Sequence, residues 1–101
     1  MAHIFDLETN GFLEDVTKIH CMVINDTESG DVQTFVGNEV KNGIRQLEEL
    51  SNNGQIIVGH NAIKFDIPVI DKLFPNNTIN HAVVEDTLVL SRLIYAHLGD
   101  I

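Results

Sequence analysis

Two carboxylates two residues apart, Asp6 and Glu8, stand in the apolar opening run Ile4-Phe5-Asp6-Leu7-Glu8-Thr9-Asn10-Gly11. In a β-strand, side chains at i and i+2 share a face, which puts the pair side by side at a strand end, just before a glycine-containing turn. Such charges repel by roughly 4 kcal/mol at 4 Å near a protein surface. A divalent cation between them removes that cost, and hard cations such as Mg²⁺ and Mn²⁺ take oxygen ligands. A solvated strand edge explains the spacing equally well; what separates the two is whether further ligands exist. The best candidate lies in Val58-Gly59-His60-Asn61-Ala62-Ile63-Lys64-Phe65-Asp66, where a buried strand ends, a polar turn follows and Asp66 falls near the start of a helix. With that strand beside the first one, Asp66 approaches Asp6 and Glu8. Three carboxylates would form an open, oxygen-rich site, leaving positions for water and phosphate as Mg²⁺ prefers. Taken alone, Asp66 reads more simply as a helix cap, with His60 and Asn61 closing the turn.

The elements that must position these groups follow from pattern. His3 to Leu7 reads as a strand, and Asn10-Gly11 is a natural turn pair. Lys18 to Ile24 is a second strand with a turn over Asn25 to Asp31, and Val32 to Val36 alternates cleanly as a third. Short turns between them predict an antiparallel meander. Asn38 is a fair N-cap for a helix to about Leu50, with Val40, Ile44, Leu47 and Leu50 as its apolar stripe. Gly43 weakens that helix by about 1 kcal/mol against alanine. Asn52-Asn53-Gly54 ends it. Gln55 to Gly59 is a buried strand. Ala62 to Leu73 is helical, with Phe65, Val69, Ile70 and Leu73 on one side; Pro68 requires the helix to start near Ile67 or to kink. Phe74 to Asn77 is a loop, Ala82 to Val84 a short strand, and Asp86 an N-cap for a last helix, Thr87 to Leu98. The order β-β-β-α-β-α-β-α predicts an α/β fold: a mixed five-stranded sheet whose first three strands are antiparallel, with helices packed on it.

At 101 residues the chain holds one small domain, residues 1 to 101, with a single core. Hydrophobic content of 44% and charged content of 21% suit a soluble globular protein. No apolar run approaches the roughly 18 residues of a membrane span, and no basic segment precedes a short apolar one. A cytoplasmic protein without a membrane partner is the default expectation. Cys21 is the sole cysteine, which excludes an intrachain disulfide and argues against a cysteine zinc site; it reads as a small buried hydrophobe. The net charge of −9 argues against gripping nucleic acid by a basic surface. It leaves room for an enzyme that meets phosphate through metal ions.

Asp6-Leu7-Glu8-Thr9, followed by Gly59-His60-Asn61-x-x-x-Phe65-Asp66, resembles the first two motifs of the DEDD (DnaQ-like) 3′–5′ exonuclease family. Glu85-Asp86-Thr87-Leu88-Val89-Leu90-Ser91-Arg92-Leu93 is similar to the Asp-Thr helix start that members carry after the fifth strand. With Val16 to Cys21, the likeness is closest to the proofreading exonuclease domain of family A DNA polymerases from short-tailed phages, and it runs from about Phe5 to Asp100. The resemblance implies a ribonuclease-H-like fold and a two-metal hydrolysis of the terminal phosphodiester of single-stranded DNA. It implies Mg²⁺ or Mn²⁺ held by Asp6, Glu8 and Asp66, with Asp6 shared between both ions and Glu8 helping to orient the water. It places Asn61 on the substrate strand and Thr9 against the terminal nucleotide. It makes Phe12 or Leu13 a candidate wedge under the frayed 3′ end, by stacking, although core packing suits either. His60 is a substrate-binding candidate too, but a turn residue with a hydrogen-bonded ring is the simpler reading. Asp86 reads best as a helix cap near the site. The implied partners are a DNA 3′ end and a polymerase domain in a longer chain, in a phage-infected bacterial cell.

One departure matters. The family completes its site with Tyr-x-x-x-Asp or His-x-x-x-Asp on a later helix, and these 101 residues carry neither: Tyr95 is followed four places on by Gly99, His97 by Ile101, and Asp100 is preceded by Ala96. The expectation is a truncated exonuclease domain lacking its C-terminal helices, weak or inactive as it stands. A non-catalytic protein-binding module of the same fold and an exoribonuclease of the same family are the alternatives.

Overall fold

The computed structural model describes residues 2–88. Strand β1 (Ala2–Thr9) lies at the centre of a five-stranded sheet. It pairs antiparallel with β2 (Ile19–Asp26), which pairs antiparallel with β3 (Val32–Val36). On its other side β1 pairs parallel with β4 (Ile56–Gly59), which pairs parallel with β5 (Val84–Asp86). The spatial order β3-β2-β1-β4-β5 is the expected mixed sheet, with the antiparallel meander on one side and the helix-connected strands on the other. It also puts the fourth strand beside the first, as the carboxylate argument required.

Alternation along β1 buries Phe5 and Leu7 on one face and exposes Ile4, Asp6 and Glu8 on the other. Register extends the buried face across the hairpin, opposing Phe5 to Ile24 and Leu7 to Met22. Helix α1 (Val40–Asn52) lays Val40, Ile44 and Leu47 on this face, and α2 (Ile67–Leu73) adds Val69 and Ile70 to the same core. Gly43 does more than weaken α1: a Cβ there would lie 2.6 Å from Met22 Sδ and 2.9 Å from Phe35 Cδ2, so its absence lets the helix approach the sheet. Cys21, on the opposite face across from Glu8, is half-buried rather than buried.

Strand β1 runs two residues past the expected Leu7, and three further boundaries differ from expectation, each for a local reason. Strand β2 runs on through Asn25 and Asp26 because Asp26 pairs with His3 while its carboxylate accepts the Glu28 N–H at 2.9 Å, so it ends the strand and starts the turn at once. Asn38 does not cap α1; a 3-10 turn, Gly37–Glu39, leads into the helix with no side-chain cap bond at its start. The last strand is Val84–Asp86 rather than Ala82 to Val84, because Asn80 accepts the Ala82 N–H and winds His81–Val83 into another 3-10 turn. Pro68 is resolved by the first of its two options. Helix α2 begins at Ile67, so Pro68 falls in the first turn, where its missing N–H is not needed, and Ala62–Asp66 forms a wide π-type turn before it. The predicted helix beyond Leu88 lies outside the described residues.

Candidate metal-dependent active site

Strands β1, β4 and β5 run parallel, so their carboxyl ends reach the same edge of the sheet. That edge carries Glu8, Gly59 and Asp86. Asp6 and Glu8 project from β1 on the face away from the helices, and both are exposed. The chain leaves β4 by a sharp turn. A Cβ on Gly59 would lie 2.9 Å from Ala62 Cβ and 3.2 Å from Phe5 Cζ, so only glycine lets the turn fold back this closely. Asn61 then takes the left-handed conformation at φ 62°, a region asparagine tolerates better than most residues. Phe65 N–H closes the wide turn on Asn61 O at 2.9 Å, which delivers Asp66 to the site.

Asp66 is 5% exposed. It sits at the start of α2 in helical conformation but makes no capping hydrogen bond, so the cap reading does not account for it. Its carboxyl is pushed up from 3.8 to about 7, first by burial and then by the negative charges of Asp6, Asp86 and Glu8. Asp66 thus lies within electrostatic reach of Asp6 and Glu8, with Asp86 as a further charge beside it. Among the described residues, no three histidine, cysteine or acidic side chains converge closely enough to hold an ion as they stand. Clustered like charges without a counterion favour separation and protonation.

Asp86 is the residue whose role the sequence understated. It is 3% exposed. Its Oδ1 accepts Leu88 N–H at 2.9 Å, which is the expected cap-like contact. The same oxygen also accepts Asn61 N–H at 2.9 Å, and Oδ2 accepts Ile63 N–H at 3.0 Å. One buried carboxylate therefore ties the end of β5 to the turn that carries Asp66. Nothing in local spacing signals this, because the partners are 23 and 25 residues away.

The other candidates separate clearly. Phe12 is 78% exposed on the turn after β1, whereas Leu13 packs on the core, so the two residues the sequence could not tell apart have opposite fates. Thr9 donates its hydroxyl to Gly11 O at 2.8 Å, beside a bulge between Glu8 and Thr9. The His60 ring is hydrogen-bonded as expected, with Nδ1 2.9 Å from Thr87 Oγ1. Asn61 engages Asp86 through its backbone N–H. No described helix is long and apolar enough to cross a membrane.

No family model matches the chain. It is 39% identical to the DNA-directed DNA polymerase of Enterobacteria phage T3 over 102 residues, covering 96% of this chain and 14% of that one. The corresponding polymerase of Escherichia phage T7 is 38% identical, with the same coverage. The chain therefore spans 14% of the length of these curated relatives. Among solved structures, exonuclease I in its apo form superposes with a TM-score of 0.72 at 18% identity, over 94% of this chain and 30% of that one. The metal-free complex of E. coli exonuclease I with single-stranded DNA scores 0.70 with the same coverage. At that identity the likeness is one of fold.

Proposed function

We propose that the chain, which is similar to a segment of phage DNA polymerases and shares the fold of exonuclease I, belongs to the DEDD (DnaQ-like) exonuclease family and is the 3′–5′ exonuclease portion of a DNA polymerase, removing terminal nucleotides from single-stranded DNA. The observation that carries this is Asp66, a buried carboxyl without a cap bond, raised to about 7 partly by the charges of Asp6, Glu8 and Asp86. Burying an acid among like charges costs stability, and a cation that joins them offsets that cost. Asp6, Glu8 and Asp66 would hold Mg²⁺ or Mn²⁺, whose chemistry there is Lewis-acid stabilisation of the terminal phosphodiester and acidification of a bound water. Asp86, already engaged by three backbone N–H groups, positions the turn rather than serving as a ligand. Phe12 offers an exposed ring for stacking against the frayed terminal base, a sequence-independent contact suited to proofreading. Thr9, Asn61 and His60 flank the same edge and would line the path of the terminal nucleotide. The names of the relatives support DNA as the substrate.

The test is a Mn²⁺ titration by calorimetry, joined to release of a 3′-labelled nucleotide from single-stranded DNA. Wild-type protein should bind Mn²⁺, and Asp6→Ala and Asp66→Ala should weaken binding at least tenfold. Release should be slow, require metal, proceed from the 3′ end and vanish in Asp6→Ala. Equal Mn²⁺ affinity in wild type and both variants would leave the non-catalytic binding module as the better reading.

A further inference from the structure

Between β1 and β2 the chain makes a closed turn whose hydrogen bonds draw in one distant side chain. Phe12 O accepts the N–H groups of Asp15 at 3.0 Å and Val16 at 2.8 Å, which winds a single helical turn. The next helical bonds would bring the N–H groups of Thr17 and Lys18 onto the carbonyls of Leu13 and Glu14. Both of those N–H groups go instead to Asn10 Oδ1, at 3.1 and 3.2 Å. Asn10 also donates from Nδ2 to Thr17 Oγ1 at 2.8 Å and from its backbone N–H to Lys18 O at 3.2 Å, so it fastens the neck of the turn. The carbonyls of Leu13 and Glu14 are thereby left for an outside donor, as at a helix C-terminus. Lys72 supplies it: Nζ donates to Leu13 O at 2.9 Å and to Glu14 O at 3.1 Å, across 59 and 58 residues of sequence.

This clamp joins the two segments that carry the candidate ligands. Phe12 stands four residues after Glu8, within about 14 Å of it even with the chain fully extended. Lys72 stands six residues after Asp66 on α2, about 9 Å along the helix axis. Leu13 and Val16 anchor the turn in the core, while the Phe12 ring projects 78% exposed. The backbone from which that ring projects is therefore held at its neck by Asn10 and at its far end by Lys72. A base stacking there would meet a surface already in place, which lowers the cost of ordering it. We propose that Lys72 is a positioning residue of the candidate exonuclease site: its grip on Leu13 O and Glu14 O sets where the Phe12 ring stands relative to Asp66, and so how tightly the terminal base is held. The proposal rests on the exonuclease reading for the role of Phe12, and it gives Lys72 no contact with nucleic acid or metal. Because the acceptors are backbone carbonyls, the clamp needs only a donor of this length on α2 and is indifferent to the side chains at 13 and 14.

The chain contains no tryptophan, so Phe12→Trp places a single fluorescent ring at the position in question. In EDTA without DNA, adding Lys72→Met should lower the tryptophan anisotropy, and Lys72→Arg, which keeps donors and reach, should restore it. Hexathymidylate at low salt should quench the tryptophan. Lys72→Met should raise the half-saturating concentration roughly threefold to tenfold, the weight of ordering one side chain, and Lys72→Arg should return it. With labelled hexathymidylate and the natural Phe12, Lys72→Met should weaken binding by a similar factor; in Phe12→Ala it should have no further effect. Mn²⁺ affinity should be the same with and without Lys72→Met, and thermal melts check that each variant is folded. Unchanged anisotropy, or a tryptophan that the oligonucleotide does not quench, overturns the proposal. So does equal weakening by Lys72→Met with and without the Phe12 ring, which would mean that the ammonium meets phosphate directly. A fall in Mn²⁺ affinity overturns it too, by moving the effect to Asp66. The exonuclease reading fails separately, on a Mn²⁺ affinity indifferent to Asp6→Ala, and the anisotropy comparison in EDTA stands apart from that result.

Discussion

Asp66→Asn in the metal-free protein isolates the electrostatic strain of the site. The Asp66 carboxyl stands at about 7 in the fold against 3.8 for an unperturbed group. The sign follows from linkage: between those values the folded state keeps a proton that the unfolded chain has released, so stability falls as pH rises through the window. Below about pH 4 both states are protonated and Asp66 contributes no pH dependence; above about pH 7 the loss is complete. Three pH units correspond to at most about 4 kcal/mol. Relaxation around the exposed Asp6 and Glu8, whose charges water screens, brings the expectation nearer 2 kcal/mol. Asparagine keeps the shape and drops the charge. Thermal melts by circular dichroism in EDTA should therefore find Asp66→Asn level with wild type near pH 4. At pH 8 it should be more stable by about 2 kcal/mol, a rise in Tm of roughly 10 °C for a domain of this size. Mn²⁺ should stabilise wild type at pH 8 and leave the variant unmoved. Taking the difference between the two proteins removes the other titrating groups from the comparison. A difference independent of pH, or a variant less stable than wild type at pH 8, would refute the placement of Asp66 among uncompensated negative charges.

Other outcomes follow from single contacts. Asp86→Ala should destabilise the fold by about 2–3 kcal/mol, because three backbone N–H groups lose a buried acceptor; it should also weaken Mn²⁺ binding by loosening the turn before Asp66, and an unchanged affinity would reduce Asp86 to a purely structural residue. Gly43→Ala gains about 1 kcal/mol of helix propensity but drives a methyl into Met22 and Phe35. Overpacking of that kind costs about 1–3 kcal/mol, so a urea titration should show net destabilisation, and a net gain would mean that α1 can lift away freely. Phe12→Ala should leave the melting temperature within about 2 °C, since the ring is 78% exposed; its affinity for single-stranded DNA should drop by about 1–3 kcal/mol if a base stacks there.

Much of the fold was legible because it rests on short-range periodicity. Val32-Gln33-Thr34-Phe35-Val36 alternates within five residues, and the structure reproduces that strand residue for residue. The stripe Val40, Ile44, Leu47 repeats at helical spacing, and all three side chains are buried. Boundaries failed where a polar side chain had two uses. Asp26 serves strand and turn together, and Asn80 winds a 3-10 turn where a strand had been expected. Phe12 and Leu13 are adjacent and both apolar, and no pattern inside that turn says which one the core will take. Gly43 looked like a flaw in a helix because its partners, Met22 and Phe35, are distant in the chain.

The sequence alone determined the types and order of the elements as far as the fifth strand, and the pairing of Asp6 with Glu8 on one strand face, because both depend on intervals of two to four residues that backbone geometry translates directly into direction. Only the tertiary structure decided that Asp66 is buried without a cap bond, that Asp86 holds the turn carrying it, and that Gly43 lets α1 approach Met22 and Phe35. Each of these depends on which distant segments meet across the sheet. That choice is made by the burial of the whole apolar face at once, and no short window of residues contains it.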